Sequence, residues 1–448
     1  VRLGTLCVWL CIWPGLVGRA QQPEQPARQP EYGGPVILSR GGRPPAGASG
    51  DLIRLQPFAT LAGVYDTGLT GLLTDEQGRL PRDQAYGVLA SFGALGYHSW
   101  KHTVLGMTYE GTARHYNRKS YYDGLDQSLA LNLSHQASRR VRFELNASAA
   151  SRRRGFYGMS GYSMYNPEFL AAAEDQLFDT RTHLFTGTGR MVLQKSARLS
   201  FGLGGAALVA EPHSRALARV RGAYANGDVA YRLGRFHTVG AAYEFTHFWF
   251  PNAFGEAFLH GATAQYAAQL NARWTLTVAG GGYRVETERL RRVAIDPAIA
   301  AIIGQGTGVE AFHRIGYMPA IRAGLDGRFR RSSVSFSYAR GISPGNGLYL
   351  TSARESAGVA VGYTGTRRLH LSAQAGYSRL ASLSQTLGRY RNYHAGAGMT
   401  YRLKNPLSLF ARVDGRKYNL GGTGFGRLYW RATLGLAFSP GEFPLALW

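Results

Sequence analysis

The sequence predicts an all-β fold, a transmembrane antiparallel up-and-down β-barrel of about 18 strands. Two observations carry that expectation. Short turns recur at near-regular spacing, and almost every one is followed by a stretch in which large apolar residues alternate with small or polar ones.

Eight such turns fall around Trp100, Arg140, Arg198, Arg235, Arg273, Arg331, Arg368 and Pro406, with separations of 40, 58, 37, 38, 58, 37 and 38 residues. Roughly 38 residues accommodate two strands of about 11 residues, one tight turn and one longer loop, so the repeating unit is a hairpin. The two wider gaps need only a longer loop. Ser138-Arg139-Arg140, Lys195-Ser196-Ala197-Arg198, Leu233-Gly234-Arg235, Asn271-Ala272-Arg273, Gly365-Thr366-Arg367-Arg368 and Lys404-Asn405-Pro406 supply a turn former, usually with a cation. Short turns therefore lie on one side of the barrel and long loops on the other.

The strands follow period two. In Leu407–Tyr418 the residues Leu407, Leu409, Ala411 and Val413 point one way, while Ser408, Phe410, Arg412, Asp414 and Arg416 point the other. Val141, Phe143, Leu145 and Ala147 oppose Arg142, Glu144, Asn146 and Ser148; Leu369, Leu371, Ala373, Ala375 and Tyr377 oppose His370, Ser372, Gln374, Gly376 and Ser378. A soluble sandwich would keep its outer face polar, whereas a repeated bulky face calls for continuous apolar surroundings. Trp274, Phe236, Phe248, Trp249, Phe250, Trp430 and Tyr401 stand near strand ends, where interfacial aromatic girdles belong. The turns join nine hairpins, hence 18 strands, if the weakly alternating segment near Phe58–Tyr65 is the first strand; otherwise the count is 16.

Residues 1–20 read as a secretory signal: Arg2, an apolar run from Leu3 to Val17, and Gly18-Arg19-Ala20 before Gln21. Both cysteines, Cys7 and Cys11, lie inside it, which excludes disulfide and thiolate chemistry from the expected mature chain. Residues 21–54 form a Pro/Gly-rich segment expected to tether the barrel, residues 55–448. Past the signal there is no apolar run long enough for a transmembrane helix. Taking Arg2 and Arg19 from the net charge of +24 leaves +22. No nucleic-acid recognition motif frames the scattered cations, so nucleic acid is not an expected partner.

These features together resemble Gram-negative outer-membrane barrels of the porin class, over about Leu55 to Trp448. The resemblance implies a periplasmic N-terminus, outer-membrane lipid and lipopolysaccharide as neighbours, and a porin-like homo-trimer. It also implies barrel-assembly machinery reading the C-terminal segment that ends in Trp448, although Pro440 and Pro444 interrupt that segment after a last strand at Gly426–Phe438. Tyr32–Arg40 with Ser439–Trp448 is also similar to uncharacterised barrels, some encoded near exopolysaccharide genes.

The function expected is an outer-membrane channel for passive diffusion of small polar, and by charge anionic, solutes. The alternatives are a conduit or anchor for exported polysaccharide, and a surface-binding barrel. Alternation assigns Arg142, Arg190, Arg232, Arg322, Arg328, Arg402, Arg412, Arg416 and Arg431 to the lumen, with Asp126, Glu144, Asp228, Glu244, Asp326 and Asp414 as counterparts. A surplus of cations favours anions, while a wall of balanced pairs would leave the pore unselective. Inward glycines such as Gly202, Gly204 and Gly396 suggest an open aqueous lumen. By the porin resemblance, the third outer loop, about Arg152–Thr182, is the constriction candidate. Arg152, Arg153 and Arg154 open it, and Glu168, Glu174, Asp175 and Asp179 flank a helix from Leu170. The sixth loop, Glu288–Arg314, carries Ala298–Ile303, read as a helix packing over the pore.

Enzymatic chemistry finds no support. Ser134 and His135 are adjacent in one strand and face opposite sides, and no nucleophile elbow, zinc motif or phosphate loop is present. No catalytic residue, metal or cofactor is expected.

Overall fold

The computed structural model describes residues 52–69, 83–117, 122–153, 180–364, 368–383, 388–404, 406–421, 425–440 and 443–446. Its strands are β1 (Leu52–Leu69), β2 (Asp83–Ser99), β3 (Thr103–Tyr116), β4 (Gly124–Gln136), β5 (Val141–Arg153) and β6 (Arg181–Gln194). They continue with β7 (Leu199–Pro212), β8 (Val220–Arg232), β9 (His237–Trp249), β10 (Glu256–Gln269), β11 (Trp274–Ala294) and β12 (Thr307–Arg328). The remainder are β13 (Ser332–Ser343), β14 (Ser352–Tyr363), β15 (Leu369–Ser382), β16 (Tyr390–Lys404), β17 (Leu407–Leu420), β18 (Phe425–Phe438) and a short β19 (Phe443–Ala446).

Each strand pairs antiparallel with its sequence neighbours, and β18 returns to β1 in the register Ala59↔Phe438 to Asp66↔Arg431, closing an 18-stranded barrel. The weakly alternating first strand is therefore part of the wall. β18 is not the last strand, as the sequence suggests: the chain re-enters extended structure at β19, which pairs with the start of β1 from Leu52↔Ala446 to Leu55↔Phe443. Pro444 is tolerated there because only one side of β19 is paired.

All eight predicted turns join successive strands, and their chemistry is visible. Ser138 Oγ accepts from the amides of Arg140 (3.2 Å) and Val141 (3.1 Å). Ser196 Oγ does the same for Arg198 (3.2 Å) and Leu199 (3.0 Å), and Asn271 Oδ1 for Arg273 (2.8 Å) and Trp274 (3.0 Å). One side-chain oxygen thus satisfies the amides that the chain reversal leaves without ladder partners, and the strand restarts at once.

Outside, the wall is apolar. Leu61, Phe92, Leu145, Leu203, Tyr243, Phe336, Leu371, Val413 and Leu434 are all exposed, and all sit on the face that alternation assigns to lipid. Inside, polar and charged groups are buried against one another. Two aromatic assignments change: Phe248 is 1% exposed and Phe250 5%, both in an inward apolar cluster with Leu208, Tyr224 and Leu259 rather than in a girdle. Phe248 shares the parity of Glu244 on β9, and Glu244 faces the lumen, so alternation outweighs position along the strand.

The sixth-loop helix α1 (Pro297–Ile303) exists, capped by Asp296 Oδ1 on the Ala298 amide (2.8 Å) and ended by Gly304 at φ +70°. It does not pack over the pore. β10 pairs with β11 only as far as Glu256↔Glu288, whereas β11 and β12 run on together to Ala294↔Thr307. These six further pairs lift the helix about 20 Å above the rim. Ile302 is 84% exposed there.

Candidate functional site

The lumen wall is organised by ion pairs that reach across strands. Asp66 on β1 binds Arg431 on β18 through both Nε (2.8 Å) and Nη2 (2.5 Å), at 0% and 3% exposure, directly across the closure seam. Arg412 and Asp414 pair within β17 (2.7 Å). Arg114 meets Asp126 (2.8 Å), Arg142 meets Glu144 (2.9 Å), and Arg190 meets Asp228 (2.7 Å). A buried charge is retained only where an opposite charge and hydrogen bonds replace its water, and every member of these pairs has such a partner.

Glu244 is the hub of the largest cluster. Its carboxylate accepts from Tyr224 Oη (3.1 Å), Tyr283 Oη and Arg322 Nη2 (3.2 Å), and Arg322 also donates to Tyr283 (2.9 Å). Those residues come from β8, β9, β11 and β12, so the group spans β10 without using a side chain from it. Gly261 of β10 makes this feasible: a Cβ there would lie 2.6 Å from the Tyr283 ring and 2.8 Å from Glu244 Cγ. Gly202 plays the same part beneath Arg190–Asp228, where a Cβ would fall 2.7 Å from Arg190 Nη2. Inward glycines thus mark floors over which long side chains cross, rather than empty lumen.

The remaining expected lumen arginines divide by height. Arg416 donates to Asn392 Oδ1 (2.6 Å) and Tyr390 Oη (2.9 Å). Arg232 curls back to the carbonyls of Gly234 (2.9 Å) and Arg235 (3.1 Å), capping a short turn instead of lining the channel. Arg328 is exposed and Arg402 half-buried at the short-turn ends of β12 and β16. Alternation misses Asp66 and Arg114.

Of the expected constriction residues, Arg154, Glu168, Glu174, Asp175 and Asp179 lie outside the described residues. Arg152 and Arg153 belong to β5 rather than to the loop. Arg152 donates to Ser128 (2.7 Å) and approaches Glu110 (3.5 Å), and the Arg153 amide binds Asp126 Oδ1 (3.0 Å).

The seventh long loop folds inward. This loop, Pro344–Thr351 between β13 and β14, crosses the long-loop end of the lumen. On one side the Ala218 amide, in the β7–β8 loop, donates to Gly347 O (2.8 Å), while Ile342 and Leu350 join the apolar cluster lining β5–β12. On the other side Tyr349, 2% exposed, packs with Leu380, Tyr390, Tyr418 and Tyr429 and donates to Gly388 O. Burial pushes the Tyr349 phenol above its ordinary pKa. The loop holds its own shape. Asn346 Oδ1 accepts from Leu348 (3.2 Å) and Tyr349 (3.0 Å), and Gly345 and Gly347 take φ +83° and +87°. Only glycine enters that region without strain, and a Cβ on Gly345 would strike the Tyr349 carbonyl. The signal was present in Ser343-Pro344-Gly345-Asn346-Gly347 followed by Leu348-Tyr349-Leu350, a rigid turn carrying an apolar load.

Beside this bar the wall is open. Inward Ser333 and Ser337 of β13, Ala360 of β14, Gln374 of β15 and His394 of β16 are exposed, so the free lumen runs along these side chains. Among the described residues, no group of three or more His, Cys, Asp or Glu could hold a metal ion.

No family model matches the chain, and no curated protein matches it. Solved structures that it is similar to include OccK2 (OpdF) of Pseudomonas aeruginosa, at 11% identity and TM-score 0.42 over 88% of this chain and 98% of that one. OpdO of the same organism gives 14% and 0.41 over 89% and 99%. The FrpB iron transporter of Neisseria meningitidis gives 10% and 0.39 over 81% and 62%. These likenesses are low; the barrel architecture rests on the strand pairing itself.

Proposed function

We propose that this protein is an outer-membrane channel through which small polar solutes diffuse, narrowed at its long-loop mouth by Pro344–Thr351. The observation that carries this reading is the inward course of that loop beside an uncovered strip of inward residues on β13–β16, which leaves an off-centre passage. In this reading the long loops face outward from the cell, and the start of β1 and the end of β18 lie on the periplasmic side.

Seven ion pairs neutralise much of the wall, and they supply a transverse field rather than a net charge. A preference for anions is supported by the sector β14–β18, where Arg354, Arg412, Arg416, Arg427 and Arg431 face inward and, among the described residues, the inward carboxylate is Asp414. The same sector carries a run of tyrosines, Tyr390, Tyr418 and Tyr429, with ring centroids 6.4 and 5.9 Å apart. Arginines along this sector suit the carboxylates of acidic sugars, which keeps transport of a polysaccharide as the second reading.

The test replaces Pro344–Thr351 with a two-residue Asn-Gly turn and compares single-channel conductance in planar bilayers. Conductance should rise roughly two-fold or more as the bar is removed, with anions favoured in a salt gradient. Unchanged conductance from a folded, heat-modifiable barrel would mean that the loop is not the constriction.

A further inference from the structure

The outward face carries its own charge pattern. From the short turns upward it is apolar, and charged side chains appear only near the long-loop ends of the strands, forming a ring at the upper edge of the apolar band. On β7–β12 carboxylates of this ring have basic partners. Glu211 faces Arg221 (3.6 Å), Glu256 faces His247 (3.1 Å), and Glu286 pairs with Arg284 and approaches His313 (3.7 Å).

On β13–β17 the match fails. The register Arg340↔Glu355, Glu355↔Arg379 and Arg379↔Arg391 sets four outward residues in a row, and Lys417, beside Tyr393, extends it by one strand. Four cations share one carboxylate: Glu355 forms an ion pair with Arg379 (3.6 Å) and accepts from Tyr338 Oη (3.2 Å). Arg340, Arg391 and Lys417 are exposed. The row spans about 20 Å at ordinary strand spacing.

Directly below, the lipid-facing surface is a shallow trough. Its floor is built of Ala357, Ala375, Ala395, Ala397 and Ala411, and its sides are Phe336 on β13 (46% exposed) and, opposite, Val413 on β17 (48% exposed) with Trp430 on β18 (50% exposed), whose ring takes the space beside Gly415. Tyr377 and Tyr393, 5.1 Å apart, separate the cations from this floor. A small-residue floor four strands wide accepts several acyl chains side by side, while tyrosines sit at the depth of a headgroup and arginines bind phosphate through paired N–H donors.

We propose that this surface is a docking site for a phosphorylated, multiply acylated glycolipid of the outer leaflet, with Arg340, Arg379, Arg391 and Lys417 on its phosphates and the alanine trough under its chains. The proposal rests on the outer-membrane placement above, with the long loops toward the outer leaflet.

The test titrates the refolded full chain, in neutral detergent micelles, with bis-phosphorylated lipid A and counts bound lipid by native mass spectrometry. Arg340→Gln/Arg391→Gln/Lys417→Gln should weaken binding about ten-fold or more, and Glu355→Gln, which removes the one carboxylate, should tighten it. Dephosphorylated lipid A should bind the parent no better than lipid A binds the triple variant. None of these residues faces the lumen, so conductance should not change. Equal affinity of parent and triple variant, or equal competition by phosphatidylglycerol, would overturn the proposal. A parent that forms no channel in bilayers, yet shows the lipid dependence, would sink the transport reading and leave the docking site standing.

Discussion

Glu244 offers the most direct check on how the wall is held. Its side chain is 3% exposed and accepts from two tyrosine hydroxyls on residues 8% and 5% exposed, and from Arg322, which retains 25% exposure. Truncation in Glu244→Ala strands both hydroxyls, at about 1–3 kcal/mol each, while Arg322 regains lumen water and adds little. The expected loss is therefore about 2–5 kcal/mol. Urea unfolding from phospholipid vesicles, followed by tryptophan emission, measures it. Because Arg322 then stands in the lumen without its carboxylate, the reversal potential in a salt gradient should shift toward anions. Glu244→Leu with Arg322→Met removes both charges and should recover much of the stability. A loss below about 1 kcal/mol with an unmoved reversal potential would refute the cluster's role, because a surface group of no structural consequence behaves that way.

Other outcomes follow from the same geometry. Asp66→Ala, which leaves Arg431 buried across the seam, should cost about 3–5 kcal/mol in the same unfolding assay, whereas Asp66→Leu with Arg431→Met should fall much closer to the parent. Gly202→Leu should shift the heat-modifiable band toward the unfolded position at a lower temperature, because its side chain displaces Arg190 from Asp228, whereas Gly63→Leu, with nothing within 4 Å of its Cβ position, should not. Tyr349 has a raised pKa, so its contribution to the bar is complete below the unfolded-state value of about 10 and is lost only as pH rises through the higher folded value. Conductance should thus hold steady from about pH 6 to about pH 9 and increase only above about pH 10.

The repeat of turns and strands was legible because both signals are local. A serine or asparagine that caps two amides closes its turn without help from elsewhere, and period two assigns faces wherever one face meets lipid, as in Leu407–Val413 against Ser408–Arg416. The signal weakened at β1 for a physical reason. Inward Phe58, Ala62 and Val64 pack with Leu89, Tyr116 and Phe410, so this part of the lumen face is as apolar as the outside, and the contrast that reveals alternation is gone. Asp66 was missed with it, although its carboxylate ties β1 to Arg431 of β18 across the seam.

The same reason explains why the site was only half readable. Which residues face inward is a property of one strand, but what an inward residue does depends on strands several positions away around the ring. Arg190 needs Gly202 on the next strand and Asp228 on the one beyond; Glu244 needs Gly261 beneath it and Arg322 three strands off. Crossing the lumen requires a loop that fixes its own backbone and carries apolar groups with somewhere to land, and the eight residues Pro344–Thr351 meet both conditions with two glycines at positive φ and with Leu350 and Tyr349 seated in different wall clusters. A short rigid bar between two apolar landings loses little entropy on docking, so under the proposed function selectivity follows from how far that bar stands from the inward residues of β13–β16.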